Sequence, residues 1–119
     1  MTETSPMTGV TRTNGAHIIK FAHIDELDPS CLREVRMYIS DLLKTEAPIK
    51  LVLDMEEVEL LSSEAIGLIV VMGNAIRPRG GQLHVANISE RTYSVFEVTQ
   101  LQNLITVFES TQEALDAFD

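Results

Sequence analysis

Apolar residues follow two alternating patterns along the chain: short continuous runs, and longer stretches in which they recur at helical spacing. The apolar run at 51–53 is typical of a strand that is covered on both faces of a parallel sheet. Five apolar residues between positions 32 and 43 recur at helical spacing and predict a helix with one apolar face. Further strands are predicted at 10–13, 17–22, 83–86 and 104–108, and further helices at 62–76, 89–98 and 110–119.

Three local signals mark where these elements turn and begin. Asn14-Gly15 favours the type I′ turn of a tight hairpin, because both residues tolerate positive φ angles. Asp28 followed by Pro29 predicts the N-cap and the first position of the first helix. The sequence STQE at 110–113 has the spacing of a capping box, which predicts a C-terminal helix that runs to the end of the chain.

The alternation of strands and helices predicts an α/β fold of right-handed β-α-β units, with a mixed, mostly parallel sheet of about four or five strands and about four helices. The hairpin adds an antiparallel strand at the N-terminal edge. We expect one domain over residues 9–119, because the chain has no internal repeats and its 119 residues suit a single core. Residues 1–8 are rich in serine and threonine, and we expect them to form a disordered tail.

Composition and charge narrow the compartment and the class of partner. The chain has a single cysteine, no stretch as long as a membrane span and no signal peptide, so we expect a cytoplasmic protein without membrane insertion. The net charge of −9 argues against nucleic acid, because phosphates are bound by clustered Lys and Arg. Five acidic residues lie between positions 54 and 64, and no basic residue lies between 51 and 76. This charge either serves solubility alone or favours a protein partner with a basic surface.

No motif in the chain predicts catalysis. A phosphate-binding P-loop, a GxGxxG turn and the GxSxG elbow of serine hydrolases are all absent from the sequence. Asp54 ends a predicted strand as a receiver-domain phosphoacceptor would, but no acidic pair follows an early parallel strand and the last lysine is Lys50. The three histidines lack metal-ligand spacing, and we expect His17 and His84 to be structural or solvent-facing. We therefore expect no enzyme activity, no cofactor and no metal.

The segment 51–76 carries the candidate site. Ser62 and Ser63 lie where a predicted strand passes into a helix, at the end of the sheet where α/β folds bind ligands and partners. One of the two serines is expected to be the N-cap of that helix. The helix is apolar on almost every side, so it is either sandwiched or presents an apolar surface to a partner. Gly67 and Gly73 within it suggest a close backbone approach, to the sheet or to another protein.

The same segment resembles the anti-sigma factor antagonist (STAS) family. The family pattern is an apolar strand that ends in Asp, a short loop, and Asp-Ser-Ser/Thr-Gly at the start of an apolar helix. Here the strand LVLD ends at Asp54, LSSE stands at 61–64, and IGL follows at 66–68. Downstream, GGQL at 80–83 is similar to the family's Gly-Gly turn, and FEVTQL at 96–101 is similar to its Phe-Glu-Leu-Thr-Gly-Leu segment. Three residues replace the family's Asp, Gly and Gly at their positions: Leu61, Glu64 and Gln100.

The resemblance implies a phosphorylation switch that works by protein binding. An anti-sigma factor of the switch serine kinase type would phosphorylate the first serine of the motif, which is Ser62 here, with Ser63 as the alternative. The unphosphorylated form would bind this kinase and release a sigma factor, and a phosphatase would reset the switch. The expected partner-binding residues are Asp54, Glu56, Glu57, Leu61, Ser62, Ser63, Glu64, Ile66 and Gly67. The alternative is a non-phosphorylated STAS interaction module in a signalling scaffold or a transporter-associated complex, and the sequence leaves a homo-oligomer open.

Overall fold

The computed structural model describes residues 7–46, 48–99 and 105–118, and in this part of the chain one five-stranded sheet carries helices on both faces. The strands are β1 (Met7–Thr13), β2 (Ala16–Phe21), β3 (Lys50–Asp54), β4 (Gln82–Ala86) and β5 (Thr106–Phe108). The helices are α1 (Arg33–Thr45), α2 (Ser63–Ile76), α3 (Glu90–Thr99) and α4 (Thr111–Asp116), and a short 3-10 turn, Arg77–Arg79, follows α2. This architecture confirms the predicted α/β class.

The strands lie in the order β1-β2-β3-β4-β5, so each strand is hydrogen-bonded to its neighbours in sequence. β1 runs antiparallel to β2 through the turn at Asn14 and Gly15, whose φ angles are 51° and 81° as a type I′ turn requires. The other pairs are parallel, with Leu51 opposite His17 in β2 and opposite Leu83 in β4. A helix lies in each parallel connection, which confirms the predicted β-α-β units and the antiparallel edge hairpin.

Both faces of the sheet are covered, as the apolar run in β3 predicts. Leu51 and Leu53 belong to a large core formed with α1, α2 and α3, in which every buried side chain is at most 4% exposed. Val52 lies on the other face and packs in a smaller core with Ala86 of β4 and Ala114 of α4. The alternation of side chains along a strand thus divides one apolar run between two cores.

Two predicted boundaries at the N-terminal half are wrong. Met7 pairs with the last residue of β2, so β1 takes in two residues of the stretch expected to be a disordered tail; residues 1–6 lie outside the described residues. α1 begins at Arg33 rather than just after Asp28. The Asp28 carboxylate does accept from the Cys31 amide at 3.1 Å, as a cap would. The amides of Leu32 and Arg33, however, donate to carbonyl oxygens three residues earlier, so this first turn is tighter than the α-helix that follows it.

The C-terminal elements start close to their predicted positions. Ser110 caps α4 as predicted, since its Oγ accepts from the Glu113 amide at 3.1 Å, but the helix ends at Asp116 rather than at the end of the chain. β5 begins at Thr106. Residues 100–104 lie outside the described residues, and with them Gln100 and the predicted start of this strand at 104.

Both strand histidines are structural, one of the two roles that their positions in strands predict. His17 is 2% exposed, with Nδ1 at 2.8 Å from the Tyr38 hydroxyl and Nε2 at 2.8 Å from the Glu46 carboxylate. His84 is 3% exposed and its Nδ1 lies 2.8 Å from the Ala114 carbonyl oxygen, which fixes α4 against the sheet. Each ring thus joins a strand to a helix in the interior.

Candidate functional site

The loop 55–62 links β3 to α2 at the carboxyl end of the sheet, the end at which open α/β sheets bind ligands and partners. On one side the Met55 amide donates to the Ala86 carbonyl of β4 at 2.9 Å. On the other side the loop runs parallel to residues 24–27, and hydrogen bonds of 2.8 to 3.0 Å join the two backbones. Backbone groups therefore hold the loop on both sides, and its polar side chains are not needed to hold it.

Asp54, predicted to contact a partner, is instead part of the support beneath this loop. The residue is 7% exposed. Its Oδ1 accepts from the Glu56 amide at 3.0 Å and from the side-chain amide of Asn87 at 2.9 Å. The same Asn87 amide group donates to Thr111 at the start of α4, at 3.1 Å. The carboxylate thus ties the loop to β4 and α4, and it faces inward because these donors lie there.

The two serines take different positions at the start of α2. Ser62 is the N-cap: its backbone is extended, with φ −71° and ψ 158°, and its Oγ accepts from the Ala65 amide at 3.0 Å. Its side chain is half-buried. Ser63 is the first helical residue and is exposed. The predicted start of the helix is confirmed, and the cap is the first hydroxyl of the pair.

One side of α2 faces the core and the other faces solvent, and this divides the predicted partner-binding residues. Leu61 and Ile66 are 3% and 0% exposed and pack in the large core, so neither side chain faces solvent. The Leu61 side chain faces inward because the loop pairs with residues 24–27. Glu64 is exposed in the first turn, and Val71, two turns on, is 60% exposed.

The two helix glycines do not allow a close approach to the sheet. A Cβ at Gly67 would meet no atom within 4 Å, and a Cβ at Gly73 would lie an ordinary 4.0 Å from Leu83. Gly67 is exposed beside Ser63 and Glu64. Of the two approaches that the sequence suggests, the one toward the sheet is therefore wrong.

Exposed carboxylates lie along the loop and in the first turn of α2. Glu56, Glu57 and Glu59 in the loop are exposed, and Lys20 of β2 pairs with Glu56 at 3.4 Å at the edge of the group. We use the name acceptor surface for those predicted partner-binding residues that reach solvent: Glu56, Glu57, Ser62, Ser63, Glu64 and Gly67. It combines exposed carboxylates of the loop and of the first turn of α2 with the half-buried side chain of Ser62 at the helix N-terminus.

Two groups beside the acceptor surface were not found from the sequence. Ser89 entered the sequence analysis only as the first position of the predicted helix 89–98, and Thr92 was not singled out, although both hydrogen-bond to the loop. Within the described residues, one set of potential metal ligands converges, formed by His23, Asp25 and Glu59; all three are exposed, and His23 Nε2 lies 3.2 Å from Asp25 and 3.5 Å from Glu59. His23 and Glu59 are far apart in sequence, and so are Thr92 and Leu61, so residue spacing gave no signal for either group.

This chain is similar to known proteins both in sequence and in fold. A family model for the STAS domain matches residues 10–114. An anti-sigma-factor antagonist (STAS) domain protein from Planctomyces limnophilus aligns over 98% of this chain and 100% of its own, with a TM-score of 0.81 and 22% identity. The Bacillus cell fate determinant SpoIIAA in its phosphorylated form aligns over 91% and 96%, with a TM-score of 0.67 and 20% identity.

A part of a much larger protein also has this fold. The murine anion transporter Slc26a9 aligns over 88% of this chain but only 18% of the transporter, with a TM-score of 0.63 and 17% identity. At such identities the likeness to these structures shows a shared fold. In the part of this chain that the structure describes, the helices are too short or too polar to span a membrane.

Proposed function

The chain belongs to the STAS domain family, and from this premise we propose that it is an anti-sigma factor antagonist that acts by binding rather than by catalysis. In its unphosphorylated form it binds an anti-sigma factor of the switch serine kinase type, which then releases a sigma factor. Phosphorylation of Ser62 by that kinase ends the binding, and a phosphatase restores it.

The position of Ser62 is the observation that carries this proposal. Its side chain is half-buried at the N-terminus of a 14-residue helix, where free amide groups and the helix dipole stabilise an added phosphate. The phosphate adds about 1.5 to 2 negative charges. A half-buried site becomes fully covered in an interface, so this charge would have to be desolvated there, which opposes binding.

The rest of the acceptor surface suggests the character of the partner. Glu56 and Glu57 in the loop and Glu64 in the first turn of α2 are exposed, and the chain as a whole carries a net charge of −9. The outer side of α2 adds Gly67 and the largely exposed Val71. A partner with a basic rim and an apolar centre complements this arrangement, and opposite charges would speed the encounter at low salt.

A second function is a non-phosphorylated interaction module in a signalling scaffold or a transporter-associated complex. Two features favour it. The position of the family's Asp before the serines holds Leu61, which is buried, and the position of its Gly holds Glu64, which already places a charge at the helix start. The fold also occurs within an anion transporter. In this case the same surface would bind its partner without regulation at Ser62.

Binding measurements with two variants of Ser62 separate these functions. The anti-sigma factor kinase of the same organism is titrated calorimetrically with the wild-type protein, Ser62→Ala and Ser62→Asp, with Ser63→Ala as the matched control. We expect the two alanine variants to bind within about twofold of wild type. Ser62→Asp keeps a capping oxygen but adds charge, and we expect it to bind at least about tenfold more weakly. Equal affinity of all four proteins would favour the second function, and no binding by any of them would contradict the first.

A further inference from the structure

Two hydroxyl groups connect the loop 55–62 to α3 by a continuous series of hydrogen bonds. Ser89 immediately precedes α3, and Thr92 lies in its first turn. The Leu61 amide lies 3.4 Å from Thr92 Oγ1, which in turn lies 3.1 Å from Ser89 Oγ. Ser89 Oγ lies 2.7 Å from the Glu59 carbonyl oxygen. This series of hydrogen bonds therefore begins at Leu61 and ends at Glu59, two residues apart on the loop.

The donors and acceptors in this series allow only one direction. The Glu59 carbonyl can only accept, so the single hydroxyl proton of Ser89 is donated to it. The Leu61 amide can only donate, so Thr92 Oγ1 accepts from it. The bond between the two hydroxyl groups must then use the proton of Thr92, and Ser89 Oγ accepts it together with the Thr92 amide at 3.2 Å. Every proton in this series has one partner, so removal of either hydroxyl breaks the connection.

Burial makes this connection important for the loop. Thr92 is 2% exposed and its bond to the Leu61 amide is buried, so water cannot replace the lost hydroxyl. Residues 24–27 hold the loop from one side, and the two hydroxyls hold it from the other. Ser62 follows Leu61 directly, and its capping geometry depends on where residue 61 lies.

We propose that Ser89 and Thr92 are positioning residues for Ser62, which fix the 59–61 segment so that the serine is held at the start of α2 in the geometry that its partner recognises. The holding of the loop stands on the structure alone, whereas the effect on the partner rests on the proposed function. The position of α3 and the presentation of Ser62 are coupled through this pair of hydroxyls.

Three variants test the role of Thr92. Thr92→Val keeps the shape of the side chain and removes the hydroxyl. Thr92→Ser keeps the hydroxyl and removes the methyl group. Thr106→Val is the matched control, because Thr106 is exposed in β5 and lies away from the loop. Urea unfolding of each variant sets the conditions under which all are equally folded.

The first measurement is amide hydrogen exchange of Leu61 by NMR spectroscopy. We expect Thr92→Val to raise its exchange rate by about five- to tenfold, the effect of one lost hydrogen bond. Thr92→Ser and Thr106→Val should leave it within about twofold of wild type. Unchanged exchange in Thr92→Val, or an equal increase in Thr92→Ser, would overturn the proposal, because the hydroxyl would then not hold the loop.

The second measurement is phosphorylation of the same variants by the anti-sigma factor kinase of the same organism. A displaced serine is recognised less well, so we expect Thr92→Val to raise KM with little change in kcat, and Thr92→Ser to restore the wild-type KM. Faster exchange at Leu61 with an unchanged KM would overturn the positioning role. If the kinase does not phosphorylate the wild-type protein, the proposed function fails, and the exchange experiment still decides whether the hydroxyls hold the loop.

Discussion

The two ends of the central sheet are held together in different ways. At the amino end buried side chains add to the backbone bonds: His17 lies between Tyr38 and Glu46. At the carboxyl end the loop 55–62 is held mainly by its own amide and carbonyl groups, and its glutamates lie in solvent. A loop held by its backbone can carry different exposed side chains at little cost in stability, so this end of the sheet is suited to recognition and the other end to stability.

Two residues show where this division is not complete. Asp54 and Thr92 lie at the carboxyl end but are 7% and 2% exposed, and each bonds to a backbone amide of the loop. Together with Ser89, whose Oγ donates to the Glu59 carbonyl, they are the side chains on which the loop depends. At the carboxyl end, therefore, the buried side chains support the loop and the exposed ones do not.

The largest effect is expected at the amino end, from Gly81→Ala. A Cβ at this position would lie 2.2 Å from Ile76 Cγ2 and 2.5 Å from the Ile49 carbonyl oxygen, and the backbone oxygen cannot move aside. We expect the free energy of unfolding to fall by about 3 kcal/mol, measured by urea denaturation. The matched control at the carboxyl end is Gly67→Ala, which meets no atom within 4 Å and should stabilise the helix by about 0.5 to 1 kcal/mol. Similar stabilities for the two variants would contradict the difference between the ends.

A smaller effect is expected from Asp54→Ala. It leaves the Glu56 amide and the Asn87 side-chain amide without this acceptor in a partly buried position, so we expect a loss of about 2 kcal/mol in the free energy of unfolding. Glu57→Ala, three residues away and exposed, should change it by less than about 0.5 kcal/mol. If Glu57→Ala costs as much as Asp54→Ala, the loop depends on its exposed side chains, contrary to this account.

The smallest effect is a dependence on alkaline pH at the amino end. Burial, assisted by the nearby Glu46 charge and opposed by Arg12, raises the pKa of Tyr38 above its ordinary value. A tyrosine in the unfolded chain loses its proton near pH 10 (roughly its unperturbed pKa), while folded Tyr38 still keeps it. This contribution to stability is therefore complete below about pH 10 and is lost as the pH rises through the folded pKa of Tyr38.

Urea unfolding between about pH 8 and pH 11 measures this dependence. Tyr38→Phe has no proton to lose, so its stability should fall less steeply with pH than that of the wild type. Tyr93→Phe is the control, because Tyr93 is the other tyrosine of the chain and is 42% exposed on α3. If Tyr38→Phe shows the wild-type slope, the alkaline dependence comes from another group.

Local sequence signals predicted the features that depend on a few neighbouring residues. Asn14-Gly15 gave the hairpin because its φ angles are set by the turn itself, and the serine pair gave the start of α2 because capping is a contact over three residues. The same reasoning failed for the start of α1, where Asp28 caps a tighter turn rather than the helix. Asp28 was correctly predicted to be a cap, but the α-helix itself begins at Arg33.

The parts of the site that the sequence did not predict depend on long-range contacts. Leu61 is buried because the loop lies against residues 24–27, more than thirty positions earlier in the chain. Thr92 bonds to the loop across thirty-one positions, and nothing in the first turn of α3 marks it among the other polar residues there. Pattern and spacing describe one element at a time, so they indicate where a serine is placed but not what holds it there.

Phosphate mapping after incubation with the cognate switch kinase and ATP tests the central claim most directly. Intact-mass measurement followed by peptide analysis is applied to the wild-type protein, to Ser62→Ala and to Ser63→Ala. The account predicts one phosphate on Ser62 in the wild-type protein and in Ser63→Ala, and none in Ser62→Ala. A phosphate on Ser63, or no phosphate on either serine in the wild-type protein, would contradict the claim that the acceptor surface is switched at Ser62.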